Sequence, residues 1–287
     1  MTSTSREVNR NIAENQTERR GKSVKSQRRR MNLITSVCAF FGFLGLFRTE
    51  VFAVDAGSRQ RAFVQAIELF DAAKTPEQYR ESARVLESIL ADGFQNGAVY
   101  YNLGNAYYRA GDYGRAILNY RKAKPYRPRD PYLKANLEQA LKAAPGHLAQ
   151  PPVYWWSHVL FWTDWFSFPT KVRLFFGGMA MAALLTVMSV GFRIPRLPFP
   201  IAAILFVAVA IGIDAALYEE RITGYHRGVI TAETSARKGT GASYEVAFDQ
   251  PLRDGAEFQI LSETADWTLG HFEGVGDGWV RNEFVAR

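Results

Sequence analysis

The sequence GAVYYNLGNAYYRAGDYGRAILNYRKAKPYRPRD, residues 97–130, sets the architecture of everything around it. Numbered from Gly97, the residues Tyr100, Leu103, Gly104, Tyr107, Gly111, Ala116, Tyr120, Ala123 and Pro128 fall at positions 4, 7, 8, 11, 15, 20, 24, 27 and 32. That spacing predicts two antiparallel helices, A and B, joined by a tight turn. Small Gly104 and Ala116 let the helices approach, and Tyr100, Tyr107 and Tyr120 fill the space between them. Gly111 and Asp112 turn the chain, and Pro128 reads as the stop of helix B.

The frame extends both ways. Moved back by 34 residues, it meets Ala66, Leu69, Phe70 and Ala73 at positions 4, 7, 8 and 11, with Tyr79, Ser82, Leu86 and Ile89 matching Tyr113, Ala116, Tyr120 and Ala123. Residues 63–96 are therefore expected as a degenerate copy of the clear unit 97–130, and the amphipathic stretch 131–144 as a capping helix, within a helical domain spanning 57–144. Two helix pairs and a cap are about the least that buries a continuous core. The pattern resembles the tetratricopeptide repeat (TPR). That resemblance implies an all-α array that binds peptides or proteins on its concave face and performs no chemistry.

The formal net charge of +7 is unevenly placed: residues 1–30 hold nine Lys/Arg and three Glu, or +6, which leaves about +1 for the rest. The basic character belongs to a polar N-terminal tail, 1–30, expected to be disordered. No basic stripe sits on a folded module, which argues against nucleic acid as a partner. Cys38 is the single cysteine, and His147, His158, His226 and His271 are scattered. Neither a disulfide framework nor a ligand-like spacing results, so no metal and no cofactor is expected.

An apolar run from Leu33 to Phe47 follows Arg28-Arg29-Arg30 and leads to the A-x-A-like triplet Val51-Phe52-Ala53. Residues 31–53 read as a signal peptide or, uncleaved, a signal anchor. A linker and interfacial aromatic segment, 145–173, contains Tyr154, Trp155, Trp156, Trp162 and Trp165. Leu174 to Phe192 then carries no charge over 19 residues, and Leu197 to Leu217 only Asp214 over 21. Each spans about 30 Å as a helix, the thickness of a bilayer core, so 174–192 and 197–217 are expected as transmembrane helices. The loop between them holds Arg193 and Arg196 with no acid, which the positive-inside rule assigns to the cytoplasm. Both soluble domains then lie on the periplasmic (exoplasmic) side of a bacterial inner membrane, the side to which the signal segment also points. Asp214, beside Glu219 and Glu220, reads either as a headgroup-level residue or as a polar contact to a partner helix.

Residues 226–287 alternate β-branched and aromatic stretches with Gly and Asp turns, which predicts an all-β domain of about five strands. Ser235-Ala236-Arg237, Asp254-Gly255 ahead of a strand, Asp266-Trp267 and Gly278-Trp279-Val280 resemble bacterial SH3 (SH3b) domains, whose members bind cell-wall or protein ligands. The order of parts is signal segment, short TPR array, two adjacent spans and SH3-like barrel. It resembles the BatE proteins of bacterial aerotolerance (Bat) operons over residues 31–287, most sharply at Val99 to Tyr108. The resemblance implies a stress-related membrane assembly with von Willebrand A-domain Bat membrane proteins and, indirectly, a MoxR-type ATPase.

The fold class expected is thus a multidomain membrane protein: helical TPR array, two transmembrane helices and small SH3-like barrel. On the clear repeat, the concave positions are Tyr101, Asn102, Asn105, Tyr108 and Arg109, the candidate protein-binding groove. Asn side chains there can pair the N–H and C=O of an extended peptide. In TPR domains that clamp a C-terminal carboxylate, a Lys or Arg would stand where this chain has Ile67, Tyr132 and Asn136, so that clamp is not expected. The run Arg121, Lys122, Lys124, Arg127 and Arg129 reads as a solvated face or a docking patch for an acidic partner. Trp267 and Trp279 are the candidate surface of the barrel, unless they fill its core. With no Cys–His pair, P-loop or nucleophile elbow after residue 54, no enzyme is expected. The function expected is a membrane-anchored interaction scaffold; the alternative is a wall tether that binds peptidoglycan through the barrel.

Overall fold

The computed structural model describes residues 51–148, 165–192, 194–219 and 227–287. The basic tail, the run 33–47, the aromatics from Tyr154 to Trp162, and Arg193 lie outside them. Among the described residues the chain is mostly helical, with seven helices, two of them long and apolar enough to cross a membrane, and a small antiparallel sheet. The chain divides into two compact units, residues 1–55 with 177–207 and residues 56–176 with 208–287.

Helix α1 (Val51–Ala72) enters the second unit at Ala56, and there it, α2 (Pro76–Ile89), α3 (Gly97–Ala110), α4 (Tyr113–Ala123) and α5 (Pro131–Ala143) follow the expected 34-residue spacing. The triplet Val51-Phe52-Ala53 falls in the first turn of α1, ahead of the expected start at 57. Local chemistry sets the other boundaries. Thr75 and Gln78 form a reciprocal capping box at α2, with Pro76 at the first helical position. The Asn96 side chain accepts from the amides of Ala98 and Val99, and that of Asp130 from Tyr132 and Leu133. Gly111 closes α3 in the left-handed region, φ 83°, where a side chain would be strained. Helix α4 ends at Ala123, earlier than Pro128 implied. Pro125 supplies the reason, since it has no N–H to give the carbonyl of Arg121, and the chain turns at once through Tyr126 N–H to Ala123 O.

Ala83, Leu86, Leu103, Ala106, Ala116, Ile117, Leu133 and Ala140 form one buried core with Tyr107 and Tyr120. Gly104 faces the Tyr120 ring, where a Cβ would lie 2.6 Å from its carbons. Only glycine allows that approach, as the repeat pattern requires.

The candidate spans are α6 (Phe168–Phe192, 25 residues) and α7 (Pro198–Glu219, 22 residues). They are about 38 and 33 Å long at 1.5 Å per residue. In the first unit the Thr186 hydroxyl donates to Ala182 O at 2.7 Å, which satisfies it inside an apolar helix. In the second unit Lys171, 1 % exposed, meets Asp214 of α7 at 2.8 Å, and a Cβ on Gly212 would overlap the Phe175 ring. The alternative of a polar contact to a partner helix therefore describes Asp214, and the partner helix is α6 of the same chain. The Phe168 amide donates to Pro125 O at 2.9 Å, joining the start of α6 to the helical array.

The sheet consists of β1 (Arg227–Ile230), β2 (Glu257–Glu263), β3 (Trp267–Phe272), β4 (Gly276–Arg281) and β5 (Val285–Ala286), in the order β4-β3-β2-β1-β5, all antiparallel. Its core is Ile230, Ala236, Phe258, Phe272 and Val280, with Phe258 stacked on Phe272 at 4.7 Å. Gly228 and Gly270 leave room for the Phe258 ring.

Candidate protein-binding surfaces

The five groove candidates share α3 but not one fate. Asn105 Oδ1 accepts from the Tyr120 hydroxyl at 2.8 Å and from Asn136 Nδ2 at 2.9 Å. Asn136 Nδ2 also reaches the Tyr101 hydroxyl at 3.1 Å, while the Arg127 guanidinium lies 4.5 Å from the centre of the Tyr101 ring. Tyr101 and Asn105 are therefore turned toward α5 and tie it to α3 and α4. Burial pushes the Tyr120 hydroxyl well above the usual tyrosine range, so it stays a donor to Asn105. Asn102 gives its amide to Ala98 O of its own helix at 2.9 Å, and Tyr108 packs edge-on against Tyr113 at 5.8 Å. Arg109 is exposed, and Asn102 and Tyr108 are half-exposed. Tyr101 and Asn105 are half-exposed as well, but their polar atoms are engaged toward α5, so Asn102, Tyr108 and Arg109 are the candidates not committed to it.

The back of the array carries contacts that the sequence did not signal. Asp112 stands at the N-cap of α4, yet its carboxylate makes no cap bond. Arg80 holds it instead, with Nε and Nη2 each 2.8 Å from an Asp112 oxygen, and Nη2 also reaches Ala110 O. The N-terminus of α4, with its free amides and positive dipole end, is left for another acceptor. Asp254 fills that role: its Oδ1 accepts from Gly114 N–H at 3.0 Å, and its carboxylate also accepts from Tyr113 N–H. Burial raises the Asp254 pKa above the ordinary carboxylate value, and these two amides pull it partly back.

Around this cap the array and the sheet pack closely. Arg121 forms two parallel bonds to Glu257, both 3.0 Å, with side chains 25 % and 14 % exposed. Gly146 N–H donates to Asp254 O at 2.9 Å, and Lys122 Nζ to Arg287 O at 3.0 Å. A Cβ on Gly114, Gly146 or Gly255 would overlap atoms across this contact. Arg121 and Lys122, read from sequence as a solvated face or an external docking patch, thus face the chain's own β domain. A cavity of about 530 Å³ remains beside the contact, bounded by Tyr107, Arg115, Asn119, Lys122, Glu283 and Arg287. Burial, helped by Glu87, pushes the Tyr107 hydroxyl up to about 12, while burial draws the Lys122 ammonium below its usual value.

On the sheet, the register separates two faces. Thr268↔Val280 and Gly270↔Gly278 point into the core, whereas Trp267↔Arg281, Leu269↔Trp279 and His271↔Asp277 share the other side. Trp267 and Trp279 are half-exposed there, with Arg281 5.9 Å from the Trp267 ring centre. The two tryptophans accordingly belong to one outer stripe with Leu269, and Phe258 and Phe272 fill the core in their place. Among the described residues no group of three His, Cys, Asp or Glu could hold a metal ion. Comparison with family models, curated proteins and solved structures gives no match.

Proposed function

We propose that this protein is a membrane-anchored interaction scaffold of the Bat type. Its TPR array and SH3-like barrel stand on the periplasmic side, and von Willebrand A-domain membrane proteins are its partners. The observation that supports the reading is the orientation of the array: α4 faces the sheet through Asp254 and Arg121–Glu257, while Asn102, Tyr108 and Arg109 of α3 are at least half-exposed and take no part in the bonds to α5. Helix lengths, the Gly104–Tyr120 approach and the Gly111 turn support the TPR reading. A five-stranded order with the first and last strands paired supports the SH3-like one, as does the Asp254-Gly255 turn ahead of β2. No catalytic step belongs to this function.

The test is capture from native membranes by the full chain and by an Asn102→Ala/Tyr108→Ala/Arg109→Ala variant. Asn105 is spared because its carboxamide holds Tyr120 and Asn136. Co-purification of von Willebrand A-domain proteins that the variant loses supports the groove; an unchanged partner set refutes it. The outer stripe of Trp267, Leu269 and Trp279 favours a second reading, a wall tether. Retention of purified peptidoglycan by the full chain, abolished by Trp267→Ala/Trp279→Ala, would establish it.

A further inference from the structure

Tyr101 and Tyr108 lie two turns apart on α3, so they share one of its faces and stand about 10.5 Å apart along its axis. The Tyr101 hydroxyl is spent on Asn136, but both rings are half-exposed. Both are also held in place: the Arg127 guanidinium lies 4.5 Å from the centre of the Tyr101 ring, and Tyr113 meets Tyr108 edge-on at 5.8 Å. Rings fixed in advance lose little freedom when a ligand covers them. Asn102 stands between the two in sequence. Its amide donates to Ala98 O, which leaves Oδ1 as an acceptor. Arg109, next to Tyr108, is exposed, and no described acid pairs with it.

These features select the backbone of the occupant. An extended strand returns to the same face every second residue, at about 6.7 or 13 Å, and misses the ring spacing. An α-helix would match the spacing, but it spends its N–H groups internally and has none for Asn102. Polyproline II returns every third residue, about 9.3 Å, and makes no internal hydrogen bonds. Prolines three residues apart would therefore rest on the two rings, and the N–H of a residue between them would meet Asn102. An acidic residue flanking the prolines complements Arg109.

We propose that this face of α3 binds an extended proline-rich segment of a partner protein, with prolines three residues apart on Tyr101 and Tyr108 and an acidic residue at Arg109. The inference rests on the reading of α3 as the partner groove and names the chemistry of its ligand. The full chain in detergent is titrated with a short fluorescent peptide of Pro-Ser-Ala repeats that carries glutamate at both ends; matched peptides replace each proline by glycine, or each glutamate by lysine. Anisotropy should show saturable binding of the first peptide and about tenfold weaker binding of the other two. Tyr108→Ala should weaken the first peptide about tenfold, and Tyr108→Phe should spare it. Arg109→Glu, at an exposed position that folding does not need, should reverse the preference toward the lysine-ended peptide and carries the test if Tyr108→Ala does not fold. Equal binding of the proline and glycine peptides, binding of neither, or a charge preference indifferent to Arg109→Glu overturns the proposal. Capture of von Willebrand A-domain proteins through Asn102, Tyr108 and Arg109 by a chain that ignores the proline peptide would sink this inference and leave the partner reading standing. Binding of the proline peptide without such capture would do the reverse.

Discussion

Gly114→Ala separates a docked β domain from an independent one by the sign of its effect. On an isolated helix the change should stabilise by up to about 1 kcal/mol, because glycine surrenders more backbone freedom than alanine. In the docked unit the new Cβ would lie 2.6 Å from Asp254 Oδ1 and 2.3 Å from the backbone oxygen of Ile230, and that backbone atom cannot swing aside as a side-chain end can. The contact must open. Opening removes the Asp254 cap, worth about 1 kcal/mol, and the bidentate Arg121–Glu257 pair, worth about 1–2 kcal/mol at its partial burial. After the helix gain is subtracted, the unit should lose about 1–2 kcal/mol, an increase of roughly 5- to 30-fold in opening. Amide hydrogen exchange on the reconstituted full chain reads this directly at Gly146, whose N–H is held by Asp254 O. A variant that unfolds at higher denaturant concentration, with exchange at Gly146 unchanged, would refute the docking argument.

Three further outcomes follow from the same geometry. Asp254 has a raised folded pKa, so the proton favours the docked state, and docking should weaken as pH rises from the unfolded carboxylate value through the folded one; Asp254→Asn should flatten that slope in exchange at Gly146, and an unaltered slope would assign it to another group. Removing Asp214 leaves the buried Lys171 ammonium unpaired, so Asp214→Ala should destabilise the protein by about 3 kcal/mol and Lys171→Ala by less, since Asp214 is partly exposed, whereas Lys171→Met with Asp214→Leu should come close to wild type in detergent thermal unfolding; additive losses in the double variant would count against the pairing. Gly104→Ala places a methyl into the Tyr120 ring and should cost about 1–3 kcal/mol, visible as a lower unfolding midpoint of the helical signal; a neutral result would mean that α3 and α4 stand further apart than described.

Much of the architecture was legible because it is written in local patterns. The helix pair 97–130 could be read from its nine positions, since each residue type answers a steric demand repeated within one turn of helix. The spans could be read from length and lack of charge, and the strands from alternation. Where a boundary was misplaced, a competing local signal explains it: Pro125, three residues before Pro128, already removes the amide that α4 needs. The candidate site was less legible. Asn105 has the residue type of a peptide ligand but spends its carboxamide on Tyr120 and Asn136, and the tryptophans read as possible core lie on the outer face of β3 and β4.

By itself the sequence determined the helix pairs, the two apolar helices and the antiparallel strands, because periodicity and composition bias the backbone within a few residues. Only the tertiary structure decided what those parts do to one another. Gly114 and Asp254 are 140 residues apart, and nothing local marks one as the cap of the other. Arg80 must first claim Asp112 before the end of α4 needs a foreign carboxylate, and Lys171 becomes a partner for Asp214 only when α6 and α7 lie side by side. These contacts depend on which surfaces meet, and that is fixed by the burial of whole faces rather than by any short stretch of chain.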